Sequence, residues 1–395
     1  MPGQRPPGEG VRARVGQLDP VEGLRALAIA LVIVFHYTVL RDPAANDPWH
    51  RLLDGWQPLA VIARNGYLGV DLFFLLTGFL LVMPWALQRL EGGPRPSVRE
   101  FYRRRVRRIV PAYYVQLAFL FLLFLPLLHG LAYYRYNPGH IAYNGIAHAL
   151  FLHYTTPLTS ASFGINGPLW SLALEAQFYL LLPLLAPIFV RHPFGSIVIA
   201  TAIAAAWRVL AMTDMEPIVR FQLRQGARWG VPEEAVRHLM LTQLPGYLAH
   251  FAAGMGLAMA WLASRRGHIT MPEQGMWLAV AIAAALALYG IYGLGGANAL
   301  GFTASWLATL TALACLVFAA ARGLPERLKT PLLKPWLFVG RTSYSAYLYH
   351  VPLLLAWNHF GVLHSSGWSF PAYLSLVLVT SWASYRWVER PFMAR

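Results

Sequence analysis

The chain has 395 residues, 57% of them hydrophobic and only 12% charged, with a formal net charge of +15. Soluble domains carry about a quarter charged residues, so a soluble globular enzyme is excluded and an all-α, polytopic membrane protein is expected. In such a chain an excess of arginine marks loops that face anionic lipid, and nucleic acid is not an expected partner.

Residues 1–17 are polar and rich in Gly, Pro and Arg, and read as a disordered cytoplasmic tail with no cleavable signal. Residues 18–395 read as one transmembrane domain. Apolar runs of spanning length fall near 21–40, 66–88, 109–128, 170–190, 195–213, 246–264, 275–294, 302–321, 337–358 and 369–388. A shorter stretch, 141–154, contains Asn144, His148 and His153. Counting it as re-entrant or interfacial puts the arginine-rich loops on one side, as the positive-inside rule requires. The expectation is therefore about ten transmembrane helices plus this short helix, with both termini cytoplasmic. The single Cys315 excludes a disulfide framework or a thiolate cluster, and no metal is expected.

Arg25 and His36 lie eleven residues apart in the first run, almost three helical turns, so both project from one face. The axial gap is roughly 16 Å, about half the hydrocarbon core of a bilayer. Taken singly, a snorkelling arginine and a hydrogen-bonded core histidine are the commoner explanations. On one face they become a functional candidate, because intramembrane ionisable groups need a partner or a task.

Asp71, in the second run, is a carboxylate among aromatics at the depth of His36, since successive spans are antiparallel. It either orients the imidazole or pairs with Arg64 or a backbone donor. Five arginines fall within 103–108 at the entry to the third run. Much of that cluster is a positive-inside anchor, but Arg105 and Arg108, at i and i+3, share a face suited to phosphates. In the fourth run Trp170 and Tyr179 fit interfacial belt aromatics, but Glu175 with Gln177 and Tyr179 nearby gives a polar density that suits a lined cavity better than lipid. Ser343, Tyr347 and His350 form an i, i+4, i+7 stripe of the kind that stitches helices together. Glu389-Arg-Pro391-Phe392 reads as a structural cap.

Together these segments resemble the acyltransferase-3 family of bacterial membrane acyltransferases. The matching pieces are Asp19-Pro-Val-Glu-Gly-Leu-Arg25 followed by His36, and Gly69-Val-Asp71-Leu-Phe-Phe-Leu-Leu-Thr-Gly78. They continue with Arg105-Val-Arg-Arg108-Ile-Val-Pro111, Trp170-Ser-Leu-Ala-Leu-Glu175-Ala-Gln-Phe-Tyr179 and Ser343-Tyr-Ser-Ala-Tyr347-Leu-Tyr-His350-Val-Pro352. Ala176 stands where many members have a second glutamate, and Thr77 replaces the usual serine. Many members also carry an esterase-like domain after the last span, so acceptor handling is expected here in the membrane domain and its outer loops.

The resemblance implies transfer of an acyl group, usually acetyl from acetyl-coenzyme A, to a hydroxyl of an exported carbohydrate or related acceptor at the bacterial inner membrane. It assigns donor binding and catalysis to Arg25, His36, Arg105 and Arg108. On this expectation the three arginines hold the donor's phosphates and His36 is the general base, oriented by Asp71 or Glu175. Trp170, Tyr179, Tyr347 and His350 contact substrate. An acyl-histidine intermediate is left open. Rival readings are a proton-coupled transporter without acyl chemistry and an inactive scaffold of export machinery.

Overall fold

In lipid every backbone N–H and C=O must find its partner within its own segment, so unbroken apolar runs wind into helices. The computed structural model describes residues 19–41, 47–130, 138–156, 166–213, 217–228, 231–270, 310–311, 314, 333–363 and 366–393, and they contain helices and no strand. In chain order these are α1 (Asp19–Leu40), α2 (Pro48–Gly55), α3 (Gln57–Arg64), α4 (Leu68–Glu91) and α5 (Val98–Phe119). After α5 the chain passes through a wide turn at Leu120–Phe124 into α6 (Leu125–His129), then α7 (Pro138–Ala149), α8 (Trp170–Arg191) and α9 (Pro193–Met212). The remainder comprises α10 (Pro217–Arg228), α11 (Glu233–Leu241), α12 (Leu244–Arg265), α13 (Leu333–Arg341) and α14 (Ser343–His359). Last, α15 (Ser369–Ser384) widens at Tyr385–Glu389 before α16 (Arg390–Met393).

Six of the described helical stretches are long and apolar enough to cross a membrane: Pro20–Leu40, Leu68–Glu91, Val98–His129, Gly167–Arg191, Pro193–Met212 and Glu233–Arg265. The protein is thus multi-pass, but the expected count of about ten is not reached among the described residues. The runs at 275–294 and 302–321, the tail at 1–17 and Cys315 lie outside them. The ninth run is interrupted at Thr342, leaving α14 with 17 residues, and α15 has 16.

Contacts between helices fix their directions. Arg25 meets Ser343 and Leu40 meets Asn358 at the same offset of 318 residues, so α1 and α14 run parallel. Tyr344 bonds the Ile109 carbonyl and Gln116 the Leu348 carbonyl, so α5 is parallel to α14 as well. Opposed to these, α4 lays Tyr67 on Phe35 and Gly69 on Ala28, antiparallel to α1. Alongside α4 in the same direction runs α8, with Phe74 on Trp170 and Thr77 on Glu175. Since α5 and α8 point oppositely, the stretch between them makes no net crossing. Its helix α7 has only 12 residues, too short to span, consistent with a re-entrant or interfacial element.

Small residues let these helices touch backbone to backbone, the main source of packing energy where lipid removes the hydrophobic drive. A Cβ on Gly78 would overlap the Phe251 carbonyl oxygen, and one on Gly254 that of Leu75, so α4 and α12 meet with no room for a methyl group. Gly78→Ala is expected to abolish a monodisperse, detergent-extractable fold, read by size-exclusion chromatography. Elution identical to the parent would show that this contact yields.

Candidate functional site

Helices α1, α4, α5, α8 and α14 enclose a cavity of about 310 Å³. That is the small end of the range for ligand clefts, room for the slender part of a substrate but not a bulky head. One end of its lining carries Arg25, Arg105 and Arg108, and Phe73, Ser171 and Tyr347 stand further along.

Each cation arrives from a different local device. Arg25 sits in the second turn of α1 and donates from Nε and Nη2 to the Ser343 hydroxyl, at 3.3 and 3.0 Å. Arg105 and Arg108 fall on the inner face of α5, while Arg103 and Arg104 turn outward to Glu100. Among the described residues, the buried Nε of Arg105 has no partner and Arg108 bonds the Met393 sulfur alone, at 3.9 Å. Among the described residues, none of the three is ion-paired with a carboxylate. Glu22, also on the wall, is taken by Arg341 at 2.6 Å. Half-buried guanidinium groups without a carboxylate partner keep their fork-shaped donors for an anion.

Glu175 has both oxygens occupied: Oε1 accepts from Thr77 and Oε2 from Tyr179, each at 2.9 Å. The hydroxyl kept by Thr77 in place of serine therefore has a structural use. Thr77→Val keeps the volume, removes this donor and leaves one oxygen of a half-buried carboxylate unpaired, a loss of about 1 kcal/mol. A lowered thermal unfolding midpoint is expected, with Thr77→Ser close to the parent. Glu389 is not merely a helix cap. The wide turn at Tyr385–Glu389 buries its carboxylate against the Ser345 hydroxyl, within the fields of Arg108 and Arg25.

Tyr347 closes the far wall. Its hydroxyl donates to the Pro168 carbonyl at 2.7 Å and meets Ser171 Oγ at 2.6 Å. Phe73 stands edge-on to it, ring centroids 6.2 Å apart. Beyond this aromatic partition lies His350, 5.6 Å from the Tyr347 ring, and then His36, 4.9 Å from His350. Neither histidine lines the cavity. Arg25 and His36 thus face the same neighbour, α14, but stand on opposite sides of Phe73 and Tyr347.

The structure does not bring Asp71 to His36. Its carboxylate lies 3.8 Å from His250 Nε2, bonds Tyr247 and feels Arg208, in a second buried cluster between α4, α9 and α12. Neither Arg64 nor His36 is its partner. Glu175 is likewise committed to hydroxyls on α4 and α8 rather than to the imidazole. Trp170 is packed among Phe74, Tyr154 and Tyr247 and is not on the cavity wall, whereas Tyr179 and Tyr347 are. Sequence reasoning missed Arg208, Tyr247 and His250, although a charge and an imidazole in apolar runs were available as the signal. It also missed Gln116 and Asn166, which donate to the Leu348 carbonyl at 3.2 and 2.9 Å. Pro352 removes that carbonyl's helical donor, so side chains must replace it.

Apolar helices closed round three guanidinium groups, none of them ion-paired with a carboxylate among the described residues, define a multi-pass membrane protein with a cationic intramembrane cavity. The chain belongs to the acyltransferase-3 family, whose profile, described as an acyltransferase domain, matches residues 19–386. It is similar to the peptidoglycan O-acetyltransferase OatA of Listeria monocytogenes, 23% identical over 94% of this chain. It is also similar to the O-acetyltransferase OatA of Staphylococcus aureus, 25% identical over 95% of it. The chain spans 55% and 57% of the lengths of these two relatives. No solved structure matches it.

Proposed function

We propose that the protein transfers an acyl group, most simply acetyl, from cytosolic acyl-coenzyme A to a hydroxyl of an exported carbohydrate at the bacterial inner membrane. The observation that carries this reading is the set of three half-buried guanidinium groups, Arg25, Arg105 and Arg108, facing one cavity with no carboxylate ion pair among the described residues. A donor that is polyanionic at one end and thin along its arm suits that distribution of charge and space. Its phosphates engage the arginines at the cytoplasmic mouth, the nucleoside stays outside, and the arm lies along α1 and α14 towards the partition. This places both termini in the cytoplasm, and the parallel run of α1, α5 and α14 supports the same topology.

The reaction then uses His36. The acceptor oxygen attacks the thioester carbonyl carbon while its proton passes to His36 Nε2. The tetrahedral intermediate collapses, the C–S bond breaks, and the thiolate takes the proton from Nε2. For this the thioester must pass Phe73, the half-buried ring on the partition, so its side chain swings during turnover. The carbohydrate acceptor is supported by the name of the Listeria relative, a peptidoglycan O-acetyltransferase. A proton-coupled carrier is not favoured, because the family is one of acyltransferases.

The test is the protein in lipid nanodiscs with acetyl-coenzyme A and chitotriose. Free coenzyme A and acetylated sugar should appear together and only with protein present. Release of neither, with folded protein and several glycan acceptors tried, would contradict the reading.

A further inference from the structure

His36 and His350 form a directed chain of hydrogen bonds. The Nδ1 of His350 lies 2.8 Å from the Tyr347 carbonyl and 3.1 Å from that of Ala346. A ring nitrogen facing two carbonyl oxygens must carry the proton, so Nε2 of His350 presents a lone pair. That lone pair faces His36 Nδ1 at 3.2 Å. His36 Nδ1 is also 2.9 Å from the Val32 carbonyl, so it too carries its proton and shares it between the carbonyl and His350. With both rings in this tautomer, His36 Nε2 holds a lone pair and has no partner among the described residues.

From this pair we infer that His350 is a positioning residue for acyl transfer: it holds His36 in the tautomer and orientation that leave Nε2 ready to receive the acceptor's proton. The inference rests on the role given to His36 above. It assigns to a neutral imidazole the task that a carboxylate performs in other histidine bases. His350 suits it because its ring is fully buried and locked by its own helix backbone. When His36 takes the proton, its Nδ1–H becomes a charge-assisted donor, and the His350 lone pair is in place to accept it without moving. No permanent charge is needed in the membrane interior, where an unpaired carboxylate is expensive. Val32 and Tyr347 anchor the two ends of the chain, so rotation of either ring breaks it.

The experiment compares His350→Leu, His350→Asn and His350→Gln in nanodiscs, each checked by size exclusion, with acetyl-coenzyme A as donor and chitotriose as acceptor. Gln carries a carbonyl oxygen to about the position of the imidazole Nε2, whereas Asn is polar but too short to reach it. His350→Leu and His350→Asn should lower kcat roughly ten- to a hundredfold, part of the ~10²–10⁴ that a positioned base supplies. Donor KM should stay unchanged, and His350→Gln should recover most of the rate. In the double variant with His36→Ala, replacing His350 should cause no further loss, because it acts only through His36. Equal activity in Leu, Asn and Gln variants, or a further loss in the double variant, overturns the inference. Should His36→Ala itself retain full activity, the role of His36 fails instead, and the two failures are told apart.

Discussion

His36→Ala is expected to lower acyl transfer by about 10²–10⁴-fold while leaving donor affinity and protein yield unchanged. The expectation follows from position and tautomer together. The imidazole is tethered through Nδ1 to Val32 and His350, so its free nitrogen is the one able to take a proton. Alanine at this site in α1 keeps the helix and removes only the proposed base. In the proposed arrangement the donor's phosphates engage arginines at the other end of α1, roughly 16 Å away along the axis, so their contacts should survive. Rate and KM measured across donor concentrations check both parts. An unchanged kcat removes His36 from the chemistry, and a raised donor KM with unchanged kcat would make it a binding residue.

Arg105→Ala should have the opposite signature: a donor KM raised about ten- to a hundredfold, with kcat retained at saturating acetyl-coenzyme A. Hydrogen bonds to a charged group are worth about 1.5–3 kcal/mol, and each 1.4 kcal/mol is a factor of ten. Arg105 is the most telling of the three because its buried Nε has no partner among the described residues. Arg25 and Arg108 each have a neutral contact that truncation would also disturb. A lower kcat with donor affinity intact contradicts this assignment.

Much of the site was legible because helical periodicity is a property of one segment. The spacing of Arg25 and His36 placed them on one face, and both do face α14. The stripe Ser343, Tyr347, His350 was legible in the same way, its members stitching α14 to two neighbours: Ser343 to Arg25 and His350 to His36 on α1, and Tyr347 to Ser171 on α8. Pairing between segments was not legible. Asp71 sits one helix away from His36 in sequence order, but its neighbours are set by how α4 crosses α12, which depends on the glycines at 78 and 254. The break at Thr342 was hidden for a related reason. Hydropathy sees a continuous run from 337 to 358, whereas the packing of Gly340 onto the Glu22 backbone and the tie of Arg341 to Glu22 hold α13 against α1. The partition formed by Phe73 and Tyr347 was invisible too, since an aromatic in an apolar run looks the same whether it faces lipid or divides a cavity.

The proposed transfer depends on one route leading from the arginines, past Phe73, to His36. Bromoacetyl-coenzyme A tests it most directly, because its carbon–bromine bond is displaced by a nucleophile lying where the acyl group arrives. The route predicts alkylation of His36, located by peptide mass spectrometry, prevented by excess coenzyme A and reduced in Arg105→Ala at limiting reagent. Labelling that spares His36, or that reaches it equally with the arginine removed, would contradict it.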